Sequence, residues 1–359
     1  MNKRKFEIIR TSLAIGIAFV ILLFAILFIS EDPVTALHSV FLAPLSSLRN
    51  FGNVIELMIP LMFTGLALSL IFSGNNFNLA SEGAFLAGGI VVMIVALGSS
   101  MPTFVTWIII FVLAGVIGSI IVGVPGFLKI RTGASELVSS IMLNSIILYV
   151  GIYILNRWFR DVDINGIASL AYPKELLFTP IIEGTRIHFG LILAIIAVIG
   201  IYLLMYKTKF GYKIRMTGKN GDYAKVVGIN VTITALFTQF AGGAIAAIGG
   251  AVQALALYTR FVWNITPGFG WDGVIVAILA RNNPKYVPLA AFFYAYLKTG
   301  ANIMARRSDV PAELISIVQG IIILLIVARK LTARLEYRSL LKQLDLQEEK
   351  PALKEEVSN

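Results

Sequence analysis

The sequence predicts an all-helical polytopic membrane protein with about ten transmembrane helices, and three observations carry that prediction. The 359 residues are 57% hydrophobic and only 14% charged, whereas soluble domains run near 45–50% apolar and about a quarter charged. The apolar residues gather in runs suited to a bilayer core of about 30 Å, which takes roughly 20 residues of helix to cross. The basic residues fall mostly on alternate connecting segments, as the positive-inside rule requires. A water-exposed globule is excluded, because too little polar surface exists to cover one.

In order along the chain, the first run, 12–29, follows Lys3, Arg4, Lys5 and Arg10. A signal peptide has the same beginning, but Glu31, Asp32 and Pro33 stand where a small-residue cleavage site would be, so a retained first helix is expected. Further spans are expected near 51–72, 80–98, 104–124, 136–156, 189–206, 231–257, 269–280, 286–304 and 314–328. With the N-terminus cytoplasmic, inner segments hold 21 of the 30 Lys and Arg residues and outer segments eight, with Lys298 inside span nine. Both termini are therefore expected in the cytoplasm. Residues 1–330 form the membrane domain. The segment 331–359 is a charge-mixed cytoplasmic tail that begins as a helix through Leu335, Leu340, Leu341 and Leu344. The outer stretch 157–188, with Pro173 and Pro180, is long enough to form an ordered cap or a docking surface.

Several function classes fall away. The chain has no cysteine, and its two histidines, His38 and His188, lie far apart outside the apolar runs. Neither a metal centre nor a thiol nucleophile is expected, and no cofactor. No Gly-x-x-x-x-Gly-Lys-Ser/Thr loop occurs, so the chain itself is not expected to hydrolyse ATP. The formal net charge of +10 is largely accounted for by topology, which argues against nucleic acid. No constellation suggests an enzyme.

Polar interruptions of apolar runs mark pathways, because backbone inside a membrane must find protein or water partners. The clearest is the stretch from Ser73 to Gly83, containing Asn75, Asn76, Phe77, Asn78 and Glu82. Either it is a plain hairpin, with Ser81 capping the next helix and Glu82 complementing its dipole, or it is a broken element at a pathway. A second interruption, from Thr266 to Val274, repeats a Phe followed by an acid-glycine pair: Glu82-Gly83 and Asp272-Gly273. The matching spans run in opposite directions, which is the pattern of an inverted repeat of spans two to five on seven to ten. On span five, Glu136, Ser140 and Asn144 recur at i, i+4, i+8 and share one flank. Glu136 either faces the bundle interior or pairs with Lys129 or Arg131; Glu56 carries the same ambiguity. Gln239 and Gln253 are read as helix–helix hydrogen bonds, and Gly242, Gly243, Ala246, Ala247, Gly249 and Gly250 as a close-packing surface.

The cytoplasmic loop at about 207–230 contains a short helix, with Asp222 as its expected N-cap and Gly228 as its left-handed terminator. Tyr223, Val226 and Val227 make one apolar face. So short a helix is unstable alone and needs a membrane surface or a partner groove.

The loop segment "IRMTGKNGDYAKVVGINV" resembles the coupling loop of ABC importer permeases related to those for ribose, branched-chain amino acids and nucleosides. "IPLMFTGLALSLIFSGNNFNLASEGAF" resembles the family's segment leading into Asn-Ile-Gly-x-Glu-Gly-Gln; Asn78, Glu82 and Gly83 match, while Ala80 and Ala84 depart. "GVPGFLKIRTGASELVSSIMLNSI" and "GFGWDGVIVAILARNNP" are similar to segments of the nucleoside branch. The resemblance implies a multi-pass inner-membrane permease subunit importing a nucleoside by alternating access. Its implied partners are a separate ATP-binding subunit, an extracellular substrate-binding protein and a second permease, identical or homologous. Phe77, Asn78, Glu82, Asn144 and Asp272 are the candidate pathway residues, and Asp222, Tyr223, Val226, Val227 and Gly228 the candidate contacts to the ATPase. Cargo of simple sugars or branched-chain amino acids is the nearer alternative. A secondary transporter coupling protons through Glu82 or Asp272 is the more distant one.

Overall fold

A computed structural model describes residues 32–308, together with Val20, Phe24, Ile26, Leu27 and Ser30. The tenth span, the tail and most of the first span lie outside the described residues. The chain divides into two units, one formed by Val40–Ile303 and the other by Met1–Ser39 with Met304–Asn359. In the latter, the described residues Val20, Phe24, Ile26 and Leu27 are helical.

The described residues are helical or irregular, without strands beyond two isolated bridges. The helices are α1 (Pro33–Phe41), α2 (Leu48–Ser73), α3 (Ser81–Gly98), α4 (Thr103–Thr132), α5 (Glu136–Ile154) and α6 (Gly190–Lys207). They continue as α7 (Lys209–Lys219), α8 (Gly221–Val226), α9 (Val231–Leu257), α10 (Phe269–Leu279) and α11 (Val287–Arg307). Six of them, α2 to α6 and α9, are long and apolar enough to cross a membrane. Helix α10, read as the eighth span, has 11 residues, about 16 Å at 1.5 Å per residue, and so reaches only about halfway through a bilayer core.

Helices α2, α3 and α9 form the buried centre, with α4 and α10 packed against them. The small residues of α9 make this possible. A Cβ on Gly250 would collide with the Phe85 carbonyl, and one on Gly88 with the Ala247 carbonyl, so α3 and α9 touch backbone to backbone. Helices α5 and α6 leave large apolar side chains such as Met142, Tyr149 and Ile196 exposed, as lipid- or protein-facing helices do.

The structure extends the fourth span. Helix α4 continues through Pro125 to Thr132 instead of ending near 124. Proline removes one rung of the ladder, and the neighbouring Val122 carbonyl accepts a bond from the Asn78 amide at 2.7 Å. The stretch 157–188 is an ordered cap over the end of α9. Tyr172 and Phe178 donate their N–H groups to Thr259 and Leu255, Asp161 pairs with Arg260 at 2.9 Å, and Trp107 donates to the Leu176 carbonyl at 3.0 Å. His188, within this cap, accepts from the Gly190 N–H at its Nδ1, and burial pushes its pKa down to about 4, so the ring is neutral.

Candidate translocation site and coupling helix

Between α2 and α3 the chain leaves helical geometry, and Asn75 takes a positive φ of 62°. Buried peptide groups there need partners, and asparagine side chains supply them. Asn76 donates to the Ala235 carbonyl at 3.0 Å and to Thr238 Oγ1 at 2.9 Å. Asn78 donates to Gln239 Oε1 at 2.7 Å as well as to Val122, and its Oδ1 accepts the Ala80 N–H at 2.9 Å. Ser81 is therefore not the cap. Helix α3 starts after Ala80, Asn78 satisfies the entering N–H, and the buried Ser81 hydroxyl has no hydrogen-bond partner.

The polar flank of α5 completes the same network. Ser140 Oγ accepts from the Leu79 N–H at 3.1 Å. Asn144 accepts from the Gly83 N–H at 2.8 Å and donates to the Leu79 carbonyl at 3.0 Å. Glu136, one turn before Ser140, is buried and also pairs with Lys129 at 2.8 Å, so it combines its two readings. Glu56 instead faces α9, where it accepts from Gln253 at 3.0 Å.

The two breaks meet at one carboxylate. Glu82 accepts the Gly268 N–H at 2.6 Å through Oε1 and the Gly270 N–H at 2.5 Å through Oε2. Gly268, at φ 83°, is the residue that opens α10. An acid placed in the first turn of α3 thus holds the first turn of another helix. The rings of Phe85 and Phe269 lie 5.0 Å apart beside this bridge.

Of the five candidate pathway residues, Asn78, Glu82 and Asn144 are buried in this network. Asp272 lies on the first turn of α10, where it accepts from the Tyr294 hydroxyl at 2.6 Å and forms an ion pair with Lys298. Phe77 is apart from the others, exposed and stacked on Phe72. Sequence reasoning gave no role to Lys298, although a lone lysine inside an apolar run was its available signal. It also read Gln239 only as a helix contact, whereas Gln239 holds the break through Asn78.

The buried Asn78–Gln239 bond gives a direct test. Gln239→Leu and Asn78→Leu each strand a buried polar group, at a cost of about 1–3 kcal/mol apiece. Thermal unfolding of both single variants and the double variant should give a coupling of about 1–2 kcal/mol. Additive losses would mean the bond contributes nothing.

The loop at about 207–230 folds as α7 followed by α8. The cap of α8 is Asn220, whose Oδ1 accepts from Asp222 N at 3.1 Å and Tyr223 N at 3.0 Å. Asp222 is thus inside the helix, not its N-cap, because Asn220 has the extended backbone a cap requires. Its carboxylate pairs with Lys225 at the surface. Gly228 ends the helix at φ 80°. Ala224 is buried, while Tyr223, Val226 and Val227 are 54%, 84% and 48% exposed. Next to α8, Gly218 of α7 packs directly on the Ser73 carbonyl at the end of α2.

A family model described as "Branched-chain amino acid transport system / permease component" matches residues 50–327. The chain is 28% identical to a glucose ABC transporter permease protein of Haloferax volcanii, covering 86% of this chain and 84% of that one. It is 26% identical to a nucleoside ABC transporter permease protein of Lactococcus lactis, over 92% and 93%. It is 30% identical to a guanosine ABC transporter permease protein of Bacillus subtilis, over 77% and 80%. With a membrane-helical fold and a family match over most of its length, the chain belongs to the branched-chain amino acid transport system permease component family, as an ABC transporter permease of the sugar and nucleoside type.

Proposed function

We propose that this chain is one permease subunit of an ATP-driven importer that brings a nucleoside across the cell membrane. The observation that carries the reading is mechanical. Two broken elements are joined by Glu82, and the first of them bears on α7 at Gly218, next to a helix with an uncovered apolar face. In this reading a separate ATP-binding subunit grips Tyr223, Val226 and Val227, and its closure displaces α8 and α7. Gly218 pushes on Ser73, Asn76 and Asn78 pass the shift to α9, and Glu82 passes it to α10. Phe77, Asn78, Glu82, Asn144 and Asp272 border or position the pathway. The chain crosses the membrane about ten times, spans two to five and seven to ten form an inverted repeat, and both termini are cytoplasmic. Residues 1–330 are the membrane domain and 331–359 the tail. A second permease completes the pathway, and an extracellular binding protein delivers cargo to the outer cap.

The nucleoside assignment is supported by the nucleoside and guanosine permeases among the relatives. A second reading, cargo of simple sugars, is favoured by the glucose permease relative. Uptake of labelled adenosine, with and without this chain, decides between them. Loss on deletion, with competition by other nucleosides but not by glucose, ribose or leucine, is expected; unchanged uptake would overturn the cargo.

The topology has its own test, made simple by a chain without cysteine. A membrane-impermeant thiol reagent added outside should label Lys174→Cys and not Lys213→Cys. The reverse pattern would invert the orientation.

A further inference from the structure

Lys298 is a charge deep within a helix. It lies 11 residues after Val287, the first residue of α11, roughly 16 Å along the axis at 1.5 Å per residue. Lys285 before the helix and Arg306 and Arg307 at its end bracket it. In the ten-span reading proposed above α11 crosses the bilayer, and at that depth a cation is rare and its exposed atoms do not face acyl chains. Yet the Lys298 side chain is 35% exposed, and that of its ion-pair partner Asp272 is 13% exposed. A lysine paired in this way, and still a third uncovered, keeps polar atoms available to a water-filled path or to cargo.

The groups left over define what fits there. An ammonium has three N–H donors, and a carboxylate has about four acceptor sites. Lys298 directs one donor at Asp272, while Asp272 accepts from Lys298 and from Tyr294. Donors and acceptors therefore remain side by side, and the pair carries no net charge. Two neighbouring hydroxyls satisfy such a pair, each accepting from the ammonium or donating to the carboxylate. An anionic phosphate would need surplus positive charge, and a free base offers no diol. Trp271, the residue before Asp272, is 45% exposed and adds an aromatic surface at the same turn.

We propose that the Asp272–Lys298 pair binds the vicinal hydroxyls of a neutral, ribose-bearing cargo during passage, selecting nucleosides over nucleotides and free bases. This deepens the nucleoside reading above and rests on it. The test uses the full complex with its ATP-binding subunit and binding protein in vesicles, and wild-type adenosine uptake is measured first. Its absence overturns the nucleoside reading together with this inference; its presence makes the following arms a test of the inference alone.

Lys298→Cys should reduce adenosine uptake about tenfold, the scale of losing one hydrogen bond to the substrate hydroxyls. Treatment with 2-aminoethyl methanethiosulfonate, which rebuilds an ammonium on the sulfur, should restore uptake, and methyl methanethiosulfonate should not. Adenosine should slow the labelling, and adenine should not. No labelling by the water-soluble reagent, or equal protection by adenosine and adenine, would overturn the proposal. Since Lys298→Cys strands Asp272, the double variant Asp272→Asn with Lys298→Met is run beside it; removing both charges preserves folding better than removing one. That variant should assemble and show the same loss of uptake, and wild-type uptake in it would also overturn the proposal.

Discussion

Replacing Glu82 with alanine is expected to destabilise the protein by about 3–6 kcal/mol, since two hydrogen bonds from backbone N–H groups to a buried carboxylate are lost at about 1.5–3 kcal/mol each. The side chain is almost fully buried, and its removal leaves the Gly268 and Gly270 amides without their acceptor. Glu82→Gln separates stability from function. Its amide keeps one acceptor oxygen but turns an NH₂ group toward a backbone N–H, so one contact becomes donor against donor. Assembly should persist, while uptake falls about tenfold through misalignment of the second break, an effect on the scale a small misplacement can produce. The measurement pairs thermal unfolding in detergent with uptake in vesicles. Wild-type values of both in the glutamine variant would reduce Glu82 to a local helix-end charge.

The second large effect is expected at the coupling helix. Val227→Asp should abolish cargo-stimulated ATP hydrolysis and uptake while leaving membrane insertion and α8 itself intact. Burying a valine in a partner groove contributes about 1.5–3 kcal/mol, and an unpaired carboxylate in its place adds a desolvation cost of several kcal/mol. The helix should survive, because its cap is Asn220 and its terminator Gly228, neither of which is touched. Val226→Asp, at the most exposed of the three apolar positions, should behave alike. Copurification of the ATP-binding subunit with each variant reads the contact directly. Full recovery of the subunit and normal uptake would sink the docking surface.

These outcomes bear on how much was legible in one dimension. The helices α2, α3, α5, α6 and α9 stand within a few residues of their predicted spans, because apolar runs of that length have few other solutions. The break at 73–83 and the short helix after Asn220 were equally readable, since Gly, Asn and capping residues act over three or four positions. The exposed face of Tyr223, Val226 and Val227 followed from helical spacing alone. Two local assignments missed, Ser81 and Asp222 as caps, because Asn78, three residues before Ser81, and Asn220, two before Asp222, offered competing side chains and backbone geometry chose between them.

What the sequence by itself determined was therefore the membrane class, most helix positions, the places where helices break and the apolar handle, all consequences of periodicity and local hydrogen bonding. Only the tertiary structure decided who answers whom across the bundle. Glu82 reaches Gly268 and Gly270, Asn78 reaches Gln239, Asn144 reaches Gly83, and Asp272 reaches Lys298. Such pairs, many of them separated by more than 150 residues, leave no local trace, because a buried polar group requires a partner but does not specify from which part of the chain it comes.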